Sequence, residues 1–169
     1  MVFAFGGVFI GMPRSDMAYL CKEFAKRGYV TATVDYRLGW GCPDVPSAIQ
    51  CLCADNPALY RATYRAIQDF NASLRYLSYK SSQYKIDTNF VFVGGGSSGS
   101  IIAIDAAFTD QVEINSLKNS LHILLGDLHN SGNTYPKKYK IKGVLDICGA
   151  IYDAEFMAND NIPIVSFHD

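Results

Sequence analysis

Long apolar runs are missing from this chain: no window approaches the ~20 apolar residues that a membrane-spanning helix needs, so no membrane span is expected. A charged segment followed by an apolar stretch and a small-residue cleavage site is missing as well. The opening Met1-Val2-Phe3-Ala4-Phe5 reads instead as a short strand, because Gly6-Gly7 and then Pro13-Arg14-Ser15-Asp16 break it too soon. Charge of one sign is also lacking. Fifteen Lys and Arg stand against 16 Asp and Glu, a net charge of −1, and no basic cluster gives nucleic acid or an anionic membrane surface anything to bind. The longest basic run, Lys137-Lys138-Tyr139-Lys140-Ile141-Lys142, reads as the solvated approach to a strand. There is no internal repeat and no low-complexity segment.

Cysteine is modest in number and poorly spaced for metal. Cys21 and Cys148 lie among apolar residues and are expected to be small buried hydrophobes. Cys42, Cys51 and Cys53 share a loop-like region, and a disulfide among them would point to a secreted or periplasmic location. The spacing C-x8-C-x-C has no C-x2-C pair and no nearby histidine, which argues against zinc. No metal or cofactor is expected. What remains is 169 residues, 49% of them hydrophobic, enough for one domain with a real core.

That core is organised around Asn89-Phe90-Val91-Phe92-Val93-Gly94-Gly95-Gly96-Ser97-Ser98-Gly99-Ser100-Ile101-Ile102-Ala103. An apolar, β-branched and aromatic run ends in small residues, and a helical pattern follows at once: strand, tight turn, helix. Gly95 to Gly99 fit G-x-S-x-G, in which a serine sits on a strained turn with its hydroxyl raised above a sheet. Ser97 is the candidate nucleophile. Gly94 to Gly99 also fit G-x-G-x-x-G, a phosphate-binding turn. That turn normally follows a first strand and needs an acidic residue at the end of a second, and the segment around Glu113 lacks strand character, so the nucleotide reading ranks below.

In chain order, Met1–Phe5 is a strand, and Ser15 or Asp16 caps a helix that runs to about Lys26 and ends at Gly28. Tyr29–Tyr36 is a second strand, parallel to the first by the right-handed crossover rule. Arg37–Asn56 reads as a long loop. Pro57–Tyr79 is a long helix with a stripe of Tyr60, Tyr64, Ile67, Phe70, Leu74 and Leu77, and the helix after Ser97 reaches Phe108. Leu117–Leu128 suggests a further helix; Ile141–Cys148 and Ile162–Phe167 are strands. Strands separated by helices indicate an α/β three-layer sandwich with a mainly parallel sheet, and ligands in such sheets sit beyond the carboxyl ends of the strands.

Four segments, in order, resemble the carboxylesterase/lipase branch of the α/β-hydrolase fold: Phe5-Gly6-Gly7-Val8-Phe9 is similar to its H-G-G-G-F oxyanion loop, Asp35-Tyr36-Arg37-Leu38 to its x-Y-R-L, Tyr64–Asp69 to the helix before the elbow, and Ile86–Gly95 to the lead into the nucleophile. The resemblance implies that Ser97 attacks an ester carbonyl of a small-molecule substrate and that the N–H groups of Gly7, Val8 and Ser98 bind the oxyanion. Val8 stands where the family usually has Gly or Ala, and Phe5 where it has His. A serine needs a histidine base and a carboxylate, which the family places after the nucleophile. Phe167-His168-Asp169 looks like the start of its H-G-x-x-D segment, whose acid and base come later than Asp169. His122 and His129 are expected to be ordinary surface histidines. The chain therefore reads as an incomplete α/β-hydrolase, a fragment cut at both ends; a non-catalytic binding module that keeps the cleft is the alternative. Oligomeric state is left open.

Overall fold

The computed structural model describes residues 1–40, 57–116, 121–151, 153–158 and 161–168. Cys42, Cys51, Cys53 and Asp169, with most of the expected loop, lie outside the described residues. Five strands form one parallel sheet: β1 (Val2–Ala4), β2 (Ala32–Val34), β3 (Val91–Gly96), β4 (Ile141–Ile147) and β5 (Ile164–Phe167), in the order β2-β1-β3-β4-β5. All four pairings are parallel. β2 is shorter than its β-branched run suggests. Its only partner among the described residues, β1, offers three residues, and Ala32, Thr33 and Val34 use them all.

Both faces of the sheet carry helix. On one, Phe3 meets Phe24 of α1 (Ala18–Ala25) at 5.7 Å between ring centroids. On the other, Val2, Ala4, Val91 and Val93 join the main core with α2 (Pro57–Tyr79) and α4 (Ser98–Phe108). Alternation along the strands divides the side chains between the two layers. α2 has the bounds its periodicity predicts, and its stripe is buried at Tyr64, Ile67, Phe70 and Leu74 and partly at Leu77, with Ala62 and Ala66 buried beside it, although Tyr60 is more than a third exposed. Each large apolar side chain buried there contributes ~1.5–3 kcal/mol, so the stripe rather than intrinsic propensity fixes the helix. α4 is apolar nearly all round because it lies between sheet and α2.

Other expectations shift. The first helix opens as a 3₁₀ turn over Arg14–Met17, with neither Ser15 nor Asp16 capping it by side chain; the Asp16 N–H donates to the Pro13 carbonyl from inside the turn. A short α3 (Ser81–Tyr84) leads toward β3. The expected Leu117–Leu128 helix is described as α5 (Gln111–Ser116) and α6 (Leu121–Leu125), with 117–120 outside the described residues. Among the described residues no helix is long and apolar enough to cross a membrane.

Candidate functional site

β1 lies between β2 and β3, so the chain winds one way from β1 to β2 and the other way to β3. At such a reversal the connections diverge and leave a crevice at the carboxyl ends. Two glycine-rich turns meet there: Gly6 to Gly11 after β1, and the elbow after β3. A Cβ on Gly6 would lie 2.9 Å from the Gly96 carbonyl oxygen and 3.4 Å from Ser97 Cβ.

The elbow is held by lack of room. Ser97 has φ 52° and ψ −123°, a conformation L-residues rarely adopt, and its side chain is exposed. A Cβ on Gly99 would stand 2.1 Å from the Ala4 carbonyl oxygen and 2.5 Å from that of Phe5; one on Gly95 would stand 2.3 Å from the Gly99 carbonyl carbon. Only glycine lets strand, helix and β1 approach this closely. Hydrogen bonds then lock the turn to β4. The Ser97 N–H donates to the Ile147 carbonyl at 2.7 Å, the Ile147 N–H to Ser100 Oγ at 2.7 Å, and the Ser100 hydroxyl to the Gly95 carbonyl at 2.9 Å. Gly94, Gly95 and Gly96 are ladder residues, all three paired with β4 and the first two with β1 as well. No glycine loop is left between strand and helix to cradle a phosphate, which removes the support for the nucleotide reading.

The turn after β1 is left-handed. Gly7, Val8 and Phe9 have φ of 97°, 56° and 58°, and the N–H groups of Ile10 and Gly11 both donate to the Gly7 carbonyl, at 2.9 and 3.2 Å. This is one turn of left-handed helix, whose first N–H groups have no partner inside it. The N–H groups of Gly7 and Val8 find no acceptor among the described residues. The carbonyls on the other side are held from the segment after β2. The buried Tyr36 hydroxyl donates to the carbonyls of Phe5 (2.8 Å) and Gly6 (3.2 Å), Trp40 Nε1 to that of Val8 (2.6 Å), and the Gly39 N–H to that of Phe9 (2.9 Å). Burial pushes the Tyr36 phenol above its usual pKa, against the lowering effect of the Ser98 hydroxyl beside it. The Arg37 N–H and Nε bind the Asp69 carboxylate at 2.8 and 2.9 Å, tying this segment to α2.

At the ends of β4 and β5 the buried Asp146 carboxylate accepts from Gly149 N–H and faces His168 Nε2, both at 2.8 Å. Burial alone would raise its pKa, but the Ser100 hydroxyl beside it, with His168, Ser166 and the Gly149 N–H, holds it below the usual value. His168, exposed and paired with Asp146, is not bonded to Ser97. His129 is not an ordinary surface histidine: it is half-buried against Arg75, with Nδ1 3.5 Å from the guanidinium, and burial with Lys137 and Arg75 nearby lowers its pKa to about 4. The same buried Arg75 donates to the carbonyls of Ser131 and Asn133, at 2.7 and 2.9 Å. His122 is partly buried. Among the described residues no histidine reaches Ser97, and no group of three or more His, Cys, Asp or Glu is placed to hold a metal. Cys21 is half-buried, and Cys148 is exposed at φ 56° just past β4, its N–H donating to the Phe167 carbonyl of β5 at 2.8 Å.

Sequence reasoning missed Trp40 and Asp146. Trp40 is the one tryptophan in the chain, set beside Gly39 in a stretch without period; its buried indole donor was the available signal. Asp146 interrupts an apolar strand, and a carboxylate in such a run calls for a partner.

A family model described as BD-FAE matches residues 58–163. Among solved structures, the apo form of Thermogutta terrifontis esterase 2 aligns at a TM-score of 0.64 with 15% identity, over 99% of this chain and 59% of that one. The same esterase phosphorylated by paraoxon gives 0.60 and 16%, over 88% and 44%. Its propionate-bound form gives 0.60 and 18%, over 88% and 42%. The chain thus spans about half the length of these structures, and the likeness is one of fold. No curated protein matches it.

Proposed function

The chain belongs to the BD-FAE family, with an α/β-hydrolase-like fold, and from that premise we propose that it is the nucleophile-bearing part of a serine carboxylic-ester hydrolase. The observation that carries the reading is the junction of the two turns: an exposed serine at φ 52° beside a left-handed loop whose Gly7 and Val8 N–H groups find no acceptor among the described residues. Ser97 Oγ attacks the ester carbonyl of a small-molecule substrate. The carbonyl oxygen, gaining negative charge, receives the N–H groups of Gly7, Val8 and Ser98, the last from the first turn of α4, where N–H groups have no intrahelical acceptor. Each such donor is worth ~3–4 kcal/mol in a preorganised site. The alcohol leaves with a proton, and water then releases the acid from Ser97. The known forms of the similar esterase 2, phosphorylated by paraoxon or with propionate bound, are in keeping with ester chemistry.

Among the described residues no histidine reaches Ser97 to take its proton, since His168 is paired with Asp146, so residues 1–169 alone are expected to turn over slowly or not at all. Intact-mass measurement after incubation with a fluorophosphonate tests this. A longer chain that supplies an acid and a histidine gains one probe mass at Ser97, Ser97→Ala gains none, and residues 1–169 alone gain little. Failure of both the longer chain and residues 1–169 to react would leave the elbow as architecture without chemistry, and the cleft as that of a binding module.

A further inference from the structure

We infer that Trp40 is a positioning residue that sets the oxyanion-binding turn, through the hydrogen bond from its indole Nε1 to the Val8 carbonyl. The inference rests on the esterase reading for its catalytic consequence, and on geometry alone for the contact. A run of three left-handed residues that includes β-branched Val8 and bulky Phe9 is unfavourable without outside support. The two i→i+3 and i→i+4 bonds to the Gly7 carbonyl hold the far side of the turn but leave the Val8 and Phe9 carbonyls free to swing. A peptide plane rotates as a unit. Fixing the Val8 carbonyl therefore fixes the N–H of Phe9, and fixing that of Gly6 fixes the N–H of Gly7; the Val8 N–H is held between these two clamped planes.

Trp40 supplies the first clamp at 2.6 Å, and Gly39, its neighbour, bonds the Phe9 carbonyl at 2.9 Å. Gly39 has φ 112°, which no other residue adopts easily, and its own carbonyl accepts from Arg65 of α2 at 2.8 Å. The indole is 9% exposed and packs in the cluster of Phe9 and Tyr36. The anchor is thus fixed to the long helix at one end and to the turn at the other. Phenylalanine at position 40 would keep the packing and lose the donor.

The wild-type protein gives the first test, since its single tryptophan yields a single indole N–H resonance. That proton is expected to exchange at least 100-fold more slowly than in free tryptophan; exchange at the free rate overturns the inference whatever Ser97 does. In Trp40→Phe, the Ile10 and Gly11 amides are expected to exchange three- to tenfold faster with the rest of the protein unchanged, as loss of one hydrogen bond predicts. In a longer chain that labels, the maximal rate of Ser97 phosphonylation falls by a similar factor, while the probe concentration giving half that rate stays the same. A folded Trp40→Phe protein with unchanged loop exchange overturns the anchor. Unreactive Ser97 in every form removes the esterase reading and leaves the anchor to be decided by the two exchange measurements.

Discussion

The two turns that form the crevice both hold non-glycine residues at positive φ, yet they are held there by different means. At the elbow the restraint is space: Gly95 and Gly99 bring β1, β3 and α4 so close that no side chain fits between them. At the loop after β1 the restraint is reach: Tyr36, Gly39 and Trp40 come from some 30 residues away to hold its carbonyls. The loop is not free of close contacts, since a Cβ on Gly7 would meet the Gly11 oxygen at 1.9 Å, but that contact is internal to the turn. A turn clamped by packing is rigid as long as the sheet exists. One clamped by hydrogen bonds can be loosened without disturbing the sheet.

The largest effect that separates them is expected from alanine at the elbow. In Gly99→Ala the new methyl meets two backbone oxygens of β1 that cannot move independently of the sheet, for a loss of more than about 3 kcal/mol. Against a total of ~5–15 kcal/mol, this should abolish or broaden the cooperative thermal transition. Gly11→Ala, with nothing within 4 Å of the added atom, should stay within ~0.5 kcal/mol. Equal losses in the two variants would mean that packing does not distinguish the turns. On the loop side, Tyr36→Phe leaves the Phe5 and Gly6 carbonyls without their donor and should lower stability by about 1–2 kcal/mol, with faster exchange confined to residues 5–11. If exchange also rises at Ser97, the two turns are one unit.

Ser97→Gly runs the other way. Removing the side chain relieves a conformation that stores ~1–3 kcal/mol, less the ~0.5–1 kcal/mol of chain entropy that glycine loses on folding. The expected gain is about 1 kcal/mol, or ~2–4 °C in melting temperature, whereas Ser97→Ala should leave it unchanged. A lower melting temperature for the glycine variant would show that the elbow is not strained.

The same distinction explains what could be read from the sequence. The elbow was legible because its causes are local: an apolar strand, then Gly95, Ser97 and Gly99, then Ile101 to Ala103, all within 15 residues. α2 was legible to the residue, since its stripe repeats over six turns. The loop was legible only as glycines in a familiar order. What shapes it, Trp40 above all, sits in a segment with no period, and no local pattern links an indole to a carbonyl 32 residues earlier. β2 was overestimated because strand length is set by its partner. His129 was misread for a related reason: it lies against buried Arg75, 54 residues away in sequence.

The smallest effect is expected from acid, and it should reach the elbow first. Asp146 adjoins Ile147, whose carbonyl holds the Ser97 N–H, and its pKa in the folded protein lies below the ordinary value because the polar groups around it, Ser100, His168, Ser166 and the Gly149 N–H, outweigh burial. The unfolded chain therefore binds this proton more tightly, near pH ~3.9, than the folded one does. The stability that Asp146 contributes is complete above that pH and is lost as pH falls through the lower folded value. The groups that bond the loop directly are an indole, a phenol and a backbone amide, none of which titrates in this range; Asp69 stands one step removed, through Arg37. On acidification, the Ser97 and Ile147 amides should begin to exchange at a higher pH than those of Ile10 and Gly11. Asp146→Asn should remove the difference by abolishing the pH dependence at the elbow. Were Ile10 and Gly11 to open at the same pH in the wild type, acid would be acting on the sheet beneath both turns, and their separate means of restraint would no longer be separable by protonation.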